Sequence, residues 1–308
     1  IMTGAPLPTG ADSVVMVEDT RQFGDFVKIL KAVKKGENVC FQGEDLRESQ
    51  KVLGQGTKIS SSHVAVLATV GRRFVRMPGN PRVFILNTGG EIVPPGIKLG
   101  KNKIYNSNGP MLQALLKSNG IKSSFLGIVK DNEEELKKAI KNGFKANMLL
   151  ISGGVSMGEY DLIPEVLASM GVRKIFHKVN IKPGKPLFFG IKNKTLIFGI
   201  PGNPVSNFLA YLIFIRPALD KMLGYSYCHP EFKTGLVDRE FPTKTGRKHF
   251  VLVKIEKNKN HYCLTPIFSH GAADILALSK ADGFMAVDRN SLAIKKNSKI
   301  QFITWKTM

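Results

Sequence analysis

The sequence has few of the features that mark disulfide-rich, zinc-ribbon or membrane proteins. Its only cysteines are Cys40, Cys228 and Cys263, and no two of them form a CxxC pair. An odd number of widely separated cysteines indicates neither a disulfide framework nor a zinc ribbon, and it favours a reducing compartment. No apolar run approaches the ~20 residues that span a bilayer, and no signal peptide opens the chain. We therefore expect a cytoplasmic protein without a membrane partner.

Several motifs of common enzyme classes are also missing. The sequence contains no GxGxxG and no Walker A pattern, which argues against the commonest nucleotide-binding folds. Its six histidines include no HExxH pair. Ser156 lies in a Gly-Gly-Val-Ser-Met-Gly stretch rather than in the GxSxG elbow of serine hydrolases. The motifs therefore indicate neither a zinc protease nor a serine hydrolase.

Acidic residues are scarce relative to basic ones. There are 45 lysines and arginines against 24 aspartates and glutamates, which gives a formal net charge of +21. Such an excess attracts anions. The basic residues are spread along the whole chain, and no RNP, zinc-finger or helix-turn-helix signature accompanies them. We therefore expect a small anionic substrate, or a general bias toward lysine, rather than a nucleic-acid partner.

Length and patterning predict more than one domain. A chain of 308 residues exceeds the ~250–300 residues at which a single core usually stops growing. Residues 1–40 alternate short apolar runs with proline and glycine, which predicts part of a β-rich domain. Residues 41–80 predict an extended linking domain, in which a turn at 42–46 leads into one helix and a second helix begins after Ser60. Because the chain starts within an extended segment, we expect an upstream portion to complete the first domain.

Residues 81–224 alternate predicted strands with predicted helices. Apolar runs indicate buried strands at Val83–Leu86, Phe125–Val129, Met148–Ile151 and Leu196–Ile200. This alternation is typical of a doubly wound α/β domain, in which a mostly parallel sheet lies between two layers of helices. Residues 225–308 show strand patterns without a further helix, which predicts a small C-terminal domain resembling a β-barrel.

Helix starts can be placed from capping residues. Asn106 or Ser107 can cap one helix of the α/β domain, and Asp131 can cap the next in a capping box with Glu134. Pro204 is suited to the first turn of a long helix that ends near Gly224.

Three glycine-rich loops follow predicted strands of the α/β domain. The first loop is Asn87–Glu91, the second is Ser152–Asp161 and the third is Pro201–Asn207. In an open parallel sheet, ligands bind outside the carboxyl ends of the strands. Glycines there let backbone N–H groups approach an anion. Each loop alone is more often a structural turn, but three at one sheet edge predict a binding site.

Charged residues refine the expected ligand. Glu91 and Asp161 would repel a phosphate unless a cation lay between them, so they suggest Mg²⁺. The segment Lys182–Pro186, with sequence KPGKP, is called the KPGKP turn below. It adds the ammonium groups of Lys182 and Lys185, which can pair with phosphate. Alone, these two lysines would be interpreted as solvated surface residues.

In this order, the motifs resemble those of the molybdopterin molybdenumtransferase family, which includes bacterial MoeA and the C-terminal part of gephyrin. The matching stretches are IMTGAPLPTGAD at 1–12, GEDL at 43–46, NTGGEI at 87–92, SGGVSMGEYD at 152–161, KPGKP at 182–186 and GIPGNPVS at 199–206. They cover most of residues 1–224, and together they are highly specific. The β-rich tail is similar to the C-terminal barrel of the family.

The resemblance implies a reaction in which adenylylated molybdopterin and molybdate give molybdenum cofactor and AMP with Mg²⁺. By the same resemblance, Thr3, Asp45, Glu91 and Asp161 are candidate catalytic residues, and Glu91 and Asp161 would hold the metal. The substrate-binding positions implied by the matching motifs are Thr88, Gly89, Ser152, Gly153, Gly154, Ser156, Lys182, Lys185, Pro201, Gly202, Asn203, Pro204 and Ser206.

Assembly and partners also follow from the resemblance. It implies a homodimer whose sites are completed across subunits, and the molybdopterin adenylyltransferase as a further partner. Two departures bear on activity. The upstream part of the family's first domain, which carries a further aspartate motif, is absent from this sequence, and the first glycine-rich loop differs. The family usually has Thr-Gly-Asp-Glu where this chain has Thr88-Gly89-Gly90-Glu91, so a carboxylate is lost.

Two related functions remain alternatives. The first is a molybdopterin adenylyltransferase, but that family shows Gly-Gly-Thr-Gly where this chain has Gly-Gly-Val-Ser at 153–156, and it lacks the flanking β domains. The second is a scaffold that keeps the fold without catalysis, against which the presence of Glu91 and Asp161 argues. Tungstate in place of molybdate also stays open.

Overall fold

The computed structural model describes residues 1–155, 162–243, 246–258 and 261–306. The chain forms two compact units. The first unit contains Ile1–Gly54 and Ile59–Arg73, and the second contains Gln55–Lys58 and Phe74–Met308.

The first unit consists of short elements on a largely exposed chain. Strands β1 (Thr20–Phe23) and β2 (Phe26–Ile29) form an antiparallel hairpin. Gly24 has a φ of 57°, which suits the two-residue turn between them. Helix α1 (Ser61–Thr69) begins after Ser60, as predicted, and the Ser60 backbone N–H donates to His63 Nδ1 at 3.1 Å. The apolar run at 14–17, one of the short runs predicted to form strands, ends instead in a single 3₁₀ turn, Val17–Asp19. The helix predicted to follow the turn at 42–46 is also wrong, because residues 42–60 form only turns and irregular chain.

The second unit holds the remaining elements. Its strands are β3 (Val83–Thr88), β4 (Ile92–Val93), β5 (Ile104–Tyr105), β6 (Ser123–Val129), β7 (Met148–Ser152), β8 (Arg173–His177), β9 (Ile181–Lys182), β10 (Phe188–Lys192), β11 (Thr195–Ile200), β12 (Lys233–Val237), β13 (Phe241–Pro242), β14 (Lys248–Lys257), β15 (Tyr262–Pro266), β16 (Gly283–Val287), β17 (Ala293–Ile294) and β18 (Lys299–Thr304). Its helices are α2 (Asn108–Ser118), α3 (Glu133–Gly143), α4 (Ile163–Ser169), α5 (Pro204–Ala210), α6 (Arg216–Met222) and α7 (Ile275–Lys280), with a π-helical stretch, Tyr211–Ile215, that joins α5 to α6.

A six-stranded sheet forms the centre of the α/β part. Its strand order is β6-β3-β7-β11-β10-β8. The first four strands are parallel, and β10 pairs antiparallel with β11. The outermost strand, β8, pairs antiparallel with β10 and so runs in the direction of the first four. The prediction of a mostly parallel sheet is confirmed. The hairpin of β10 and β11, which turns at Asn193 with a φ of 53°, is an addition that the sequence pattern did not predict.

Helices cover both faces of this sheet. On one face, Leu112 of α2 and Ile215 of the π-helical stretch are buried against Leu150 of β7. On the other face, Leu136 of α3 and Leu167 of α4 belong to a second buried cluster. Side chains alternate between the two clusters along β7, as the period of a strand requires. The domain is therefore doubly wound, as predicted.

The C-terminal part of the chain closes into a five-stranded β-barrel. Its strands follow the order β15-β12-β18-β16-β14, and pairing of β14 with β15 closes the ring, while β9 extends the edge of β14. Leu264, Met285 and Phe302 are fully buried inside. The predicted barrel is confirmed. The expectation that helices end at Gly224 is wrong, because α7 follows Asp274, whose side chain accepts a hydrogen bond from the Ala277 N–H.

One predicted helix cap is wrong, and the other is confirmed. The cap of α3 is Asn132 rather than Asp131, and its Oδ1 accepts from the N–H groups of Glu134 and Glu135. At the start of α2, Asn106 Oδ1 accepts from the Gly109 N–H at 3.0 Å. Among the described residues, no helix is long and apolar enough to cross a membrane.

Candidate functional site

The carboxyl ends of three neighbouring strands bring the predicted loops together. In the register of the sheet, Asn87 at the end of β3 lies beside Ser152 at the end of β7. Ser152 in turn lies beside Ile200, the last residue of β11. Each strand is buried, so the sheet core fixes where the loops begin. The three loops therefore begin at one sheet edge, as predicted.

The first and second loops are in direct contact. Gly153 has a φ of 103°, and a Cβ at this position would lie 2.3 Å from the backbone oxygen of Thr88. A Cβ on Gly154, whose φ is 62°, would lie 2.9 Å from Thr88 Oγ1. Only glycine tolerates both this approach and this backbone conformation. The glycine pair therefore allows the first and second loops to pack together.

The third loop lies against the second. The Gly153 N–H donates to the Ile200 oxygen at 3.0 Å. A Cβ on Gly202 would lie 3.8 Å from the Gly153 Cα atom. Pro204 then occupies the first turn of α5, where its missing N–H costs nothing. The sequence thus turns from a buried strand into a helix within a few residues beside the second loop.

Buried polar side chains lie beneath the loops. Ser152 Oγ accepts from Asn108 Nδ2 at 3.0 Å and from Asn207 Nδ2 at 2.8 Å. Asn108 Nδ2 also donates to the Gly202 oxygen at 2.6 Å, and Asn207 Nδ2 donates to the Pro201 oxygen at 3.3 Å. All three polar side chains are buried. Ser152 was predicted from sequence, and Asn207 was included only as the last residue of the third loop. Asn108 was missed because it looks like an ordinary helix-start residue.

Carboxylates occupy the same edge. Glu91 is exposed, and its Oε1 would lie 2.8 Å from a Cβ on Gly89, so the carboxylate folds back over its own loop. Lys103 Nζ donates to the Gly90 oxygen at 2.6 Å, at the position that lacks the family's aspartate. Asp131, which follows β6, has an Oδ1 atom 3.6 Å from where a Cβ on Gly154 would lie.

Asp131 was assigned only a capping role from sequence. An acidic residue two positions after a predicted parallel strand was the available signal for a site residue. Within residues 1–155, 162–243, 246–258 and 261–306, no three His, Cys, Asp or Glu side chains are grouped as metal ligands. Ser156 and Asp161 of the second loop lie outside the described residues.

Cationic side chains gather at the KPGKP turn. A Cβ on Gly184 would lie 3.8 Å from Ser206 Cβ, so the turn lies next to the first turn of α5. Lys182 is paired in register with His249 of β14, and Arg247 Nη1 donates to the Ile181 oxygen at 3.4 Å. The barrel therefore supplies a second set of basic residues beside the turn.

The electrostatics of His249 reflect this concentration of positive charge. Burial of the ring, followed by the charges of Lys182 and Arg247, lowers the pKa of His249 to about 4. Its Nδ1 atom is buried and has no hydrogen-bond partner among the described residues. Neither Arg247 nor His249 was predicted as a site residue, because the barrel carries no motif at these positions.

The remaining predicted residues divide between the two units. Thr3 and Asp45 belong to the first unit, where both are exposed. Thr88, Ser152 and Ser206 of the second unit are almost completely buried. The second unit also contains the other predicted positions that the structure describes, which are Gly89, Glu91, Gly153, Gly154, Lys182, Lys185, Pro201, Gly202, Asn203 and Pro204.

Three family models match consecutive parts of the chain. The MoeA N-terminal region (domain I and II) matches residues 1–71, the probable molybdopterin binding domain matches residues 84–221, and the MoeA C-terminal region (domain IV) matches residues 234–305.

Similar proteins and structures agree with these matches. A molybdopterin molybdenumtransferase of Staphylococcus epidermidis is 31% identical over 304 residues, which cover 98% of this chain and 73% of that protein. One from Staphylococcus aureus is 29% identical with the same coverage. The crystal structure of the molybdopterin biosynthesis moeA protein of Pyrococcus horikoshii OT3 aligns with a TM-score of 0.81 at 26% identity, covering 99% of this chain and 74% of that one. The chain therefore belongs to the MoeA family of molybdopterin molybdenumtransferases, which are enzymes of molybdenum cofactor biosynthesis.

Proposed function

We propose that this chain inserts molybdate into adenylylated molybdopterin in a Mg²⁺-dependent reaction that releases AMP and molybdenum cofactor. The observation that carries the proposal is the packing of three glycine-rich loops at the carboxyl ends of β3, β7 and β11. This edge is where parallel α/β sheets bind their ligands. The loops hold the backbone amides, hydroxyl groups and carboxylates that a pterin phosphate and a metal ion require.

The anionic parts of the substrates are assigned to the cationic side chains near the KPGKP turn. Lys182 and Lys185 act as point charges on flexible stems, and Arg247 offers a planar fork of donors for phosphate or molybdate oxygens. Because His249 is neutral at pH 7, it adds no further positive charge there and can hydrogen-bond through a ring nitrogen.

Mg²⁺ is assigned to the carboxylates of the loops. Glu91 and Asp161 would hold the ion, since Mg²⁺ prefers oxygen ligands and usually combines one or two carboxylates with substrate oxygens. The bound ion would neutralise charge on the phosphoanhydride of the substrate. Asp131, beside Gly154, adds a third carboxylate, which can orient water or substrate groups around the ion. Gly90 brings no carboxylate, so the loop relies on Glu91 alone.

The pterin is assigned to the loop backbones. Its dithiolate supplies soft sulfur ligands for molybdenum, so the protein needs no cysteine cluster to hold that metal. Within the first two loops, Thr88, Gly89, Ser152, Gly153, Gly154 and Ser156 would line the pterin-phosphate site. Within the third loop, Pro201, Gly202, Asn203, Pro204 and Ser206 would complete it. Thr3 and Asp45 are proposed as further catalytic residues on the strength of their motifs.

The proposal also covers the domain boundaries, the oligomeric state, the compartment and the partner of the protein. We assign residues 1–40 and 41–80 to a β-rich and a linking domain, residues 81–224 to the molybdopterin-binding domain and residues 225–308 to the C-terminal domain. The protein would act as a cytoplasmic homodimer with sites completed across subunits, and would receive its substrate from a molybdopterin adenylyltransferase. Three free cysteines are compatible with a reducing compartment.

Reconstitution with purified components tests the proposal. The chain is incubated with adenylylated molybdopterin, molybdate and Mg²⁺, and AMP release is measured together with activation of a cofactor-free molybdoenzyme. We expect both signals to need molybdate and Mg²⁺. Adenylyl transfer from ATP to molybdopterin, without molybdate-dependent AMP release, would instead identify an adenylyltransferase. Substrate binding without turnover would identify a scaffold.

A further inference from the structure

We infer that Asn108 and Asn207 are positioning residues, which set the spacing between the second and third loops by sharing the hydroxyl group of Ser152. The inference rests on the proposed function, because it assigns these loops to one substrate. Neither asparagine lies on a strand. Each reaches the strand ends from the first turn of a helix, α2 or α5.

Asn108 links the two loops through one amide nitrogen. Its Nδ2 atom carries two hydrogens, which are donated to Ser152 Oγ at 3.0 Å and to the Gly202 oxygen at 2.6 Å. Ser152 precedes the glycine pair of the second loop, and Gly202 lies in the third loop. The residue is 6% exposed. Replacing it with a smaller residue would therefore remove both bonds without giving water easy access to the groups left behind.

Asn207 repeats the arrangement from the other side. Its Nδ2 donates to the same Ser152 Oγ at 2.8 Å and to the Pro201 oxygen at 3.3 Å. The residue is fully buried. Ser152 Oγ thus receives both amide groups, which uses its two acceptor positions. The three side chains form one network, and a change at either asparagine alters the geometry of the bond made by the other.

The network also holds polar atoms that no described residue satisfies. Asn108 Oδ1 and Asn207 Oδ1 are buried without a hydrogen-bond partner among the described residues, as are Asn87 Nδ2 and Thr88 Oγ1. Buried polar atoms are usually paired with protein, water or ligand. Four such atoms at one sheet edge, beside the start of the second loop, indicate that residues outside the described ranges, bound water or substrate complete their hydrogen bonds.

Two other polar side chains of the α/β domain serve as matched controls. Asn119, at the opposite end of α2, donates through Nδ2 to the Leu115 oxygen at 2.7 Å and to Tyr211 Oη at 2.9 Å. Thr195, at the amino end of β11, donates to the Ala146 oxygen at 2.8 Å and lies 3.1 Å from the Phe144 oxygen. Both lie away from the sheet edge that carries the loops. Their replacement by alanine removes comparable bonds without touching a loop.

Hydrogen exchange of the substrate-free protein tests the positioning role directly. Amide exchange is measured for peptides that contain Gly153 and Gly202 in wild type, Asn108→Ala, Asn207→Ala, Asn119→Ala and Thr195→Ala. We expect exchange at both loops to rise about tenfold in the first two variants, the factor that corresponds to one hydrogen bond of ordinary net strength. The control variants should leave these peptides unchanged. Unchanged loop exchange in Asn108→Ala and Asn207→Ala would overturn the inference, whether or not the proposed reaction occurs.

Kinetics then separate positioning from stability. In the reconstituted reaction, we expect Asn108→Ala and Asn207→Ala to raise KM for adenylylated molybdopterin about tenfold, with a smaller change in kcat. The double variant should raise KM by less than the product of the single effects, because both residues act through Ser152. Asn119→Ala and Thr195→Ala, compared at an equal loss of Tm, should leave KM unchanged. Equal KM effects in all four variants would contradict the inference.

Two further outcomes are distinguishable. If wild type shows no molybdenum insertion but loop exchange follows the expected pattern, the proposed function fails and the positioning role stands. If Asn108→Ala and Asn207→Ala both fail to fold while the control variants fold normally, the network is a folding element, and the inference is overturned.

Discussion

His249 of the barrel and Lys182 of the KPGKP turn are neighbours in register where β14 and β9 pair. The pairing holds an imidazole ring beside an ammonium group, with the Arg247 guanidinium as a second nearby charge. Burial of the ring disfavours its charged form most, and a proton on the ring would also be repelled by both cations. The folded protein therefore favours neutral His249, and this preference makes stability depend on pH.

We expect His249 to destabilise the fold in mild acid. Its pKa is lowered from 6.5 to about 4 on folding, so between these values the unfolded chain binds a proton that the folded chain does not. The free energy of unfolding is therefore unaffected above about pH 6.5 and falls as the pH drops toward 4. The ring is partly exposed, so solvent screening limits the loss to about 1–2 kcal/mol. Urea unfolding of wild type and His249→Gln at several pH values measures this loss of unfolding free energy. A loss of the same size in both proteins would contradict the assignment.

Gly153 should not tolerate a side chain. We expect Gly153→Ala to lower the free energy of unfolding by about 3 kcal/mol, because the new Cβ would lie 2.3 Å from the Thr88 oxygen at a φ of 103°. Gly120 is the matched control, since its φ is 72° but no atom lies within 4 Å of where its Cβ would be. Gly120→Ala should cost only about 1 kcal/mol of backbone strain. Chemical denaturation compares the two variants, and equal losses would show that loop contact is unimportant.

The three glycine-rich loops could be predicted from sequence because the patterns that indicate them lie within a few consecutive residues. Glycine pairs after apolar runs, such as Gly153–Gly154 after β7, identify a strand that turns sharply at its carboxyl end. The order of strands and helices then places such turns at one edge. The same reasoning gave the barrel, where apolar runs in β14 and β18 indicated strands. In β14 the run Phe250–Val253 is buried, with alternate side chains in two different clusters.

The missed residues depend on pairings between distant segments. Asn108 and Gly202 are 94 positions apart, and no local pattern indicates that they share a hydrogen bond. His249 and Arg247 reach the KPGKP turn only because β9 leaves the α/β domain to pair with the barrel. The helix α7 was missed because it is only about one and a half turns long, as its six residues show.

Glu91 should be needed for Mg²⁺-dependent chemistry and not for folding. Its side chain is exposed, so Glu91→Ala should leave Tm unchanged. We expect molybdenum insertion to fall by about 100-fold or more, because loss of a metal-binding carboxylate exceeds the usual effect of losing a supporting residue. Glu256→Ala, which removes an exposed carboxylate from β14, should retain full activity. We expect Asp161→Ala to lower molybdenum insertion by the same factor as Glu91→Ala. Full activity in either variant would remove that residue from the metal site.

Lys182 should contribute to binding of the anionic substrate through its charge. It lies in the KPGKP turn, beside the first turn of α5 and opposite His249. We expect Lys182→Ala to raise the Kd for adenylylated molybdopterin about tenfold, roughly 1.4 kcal/mol, at low ionic strength. The difference should shrink as salt increases, because screening weakens the interaction of a partly exposed charge. Titration calorimetry of wild type, Lys182→Ala and Lys182→Arg measures both effects. Lys299→Ala, at an exposed position of β18, controls for net charge. If Lys182→Ala binds as tightly as wild type at low salt, or if Lys299→Ala weakens binding equally, the site must draw its positive charge from elsewhere.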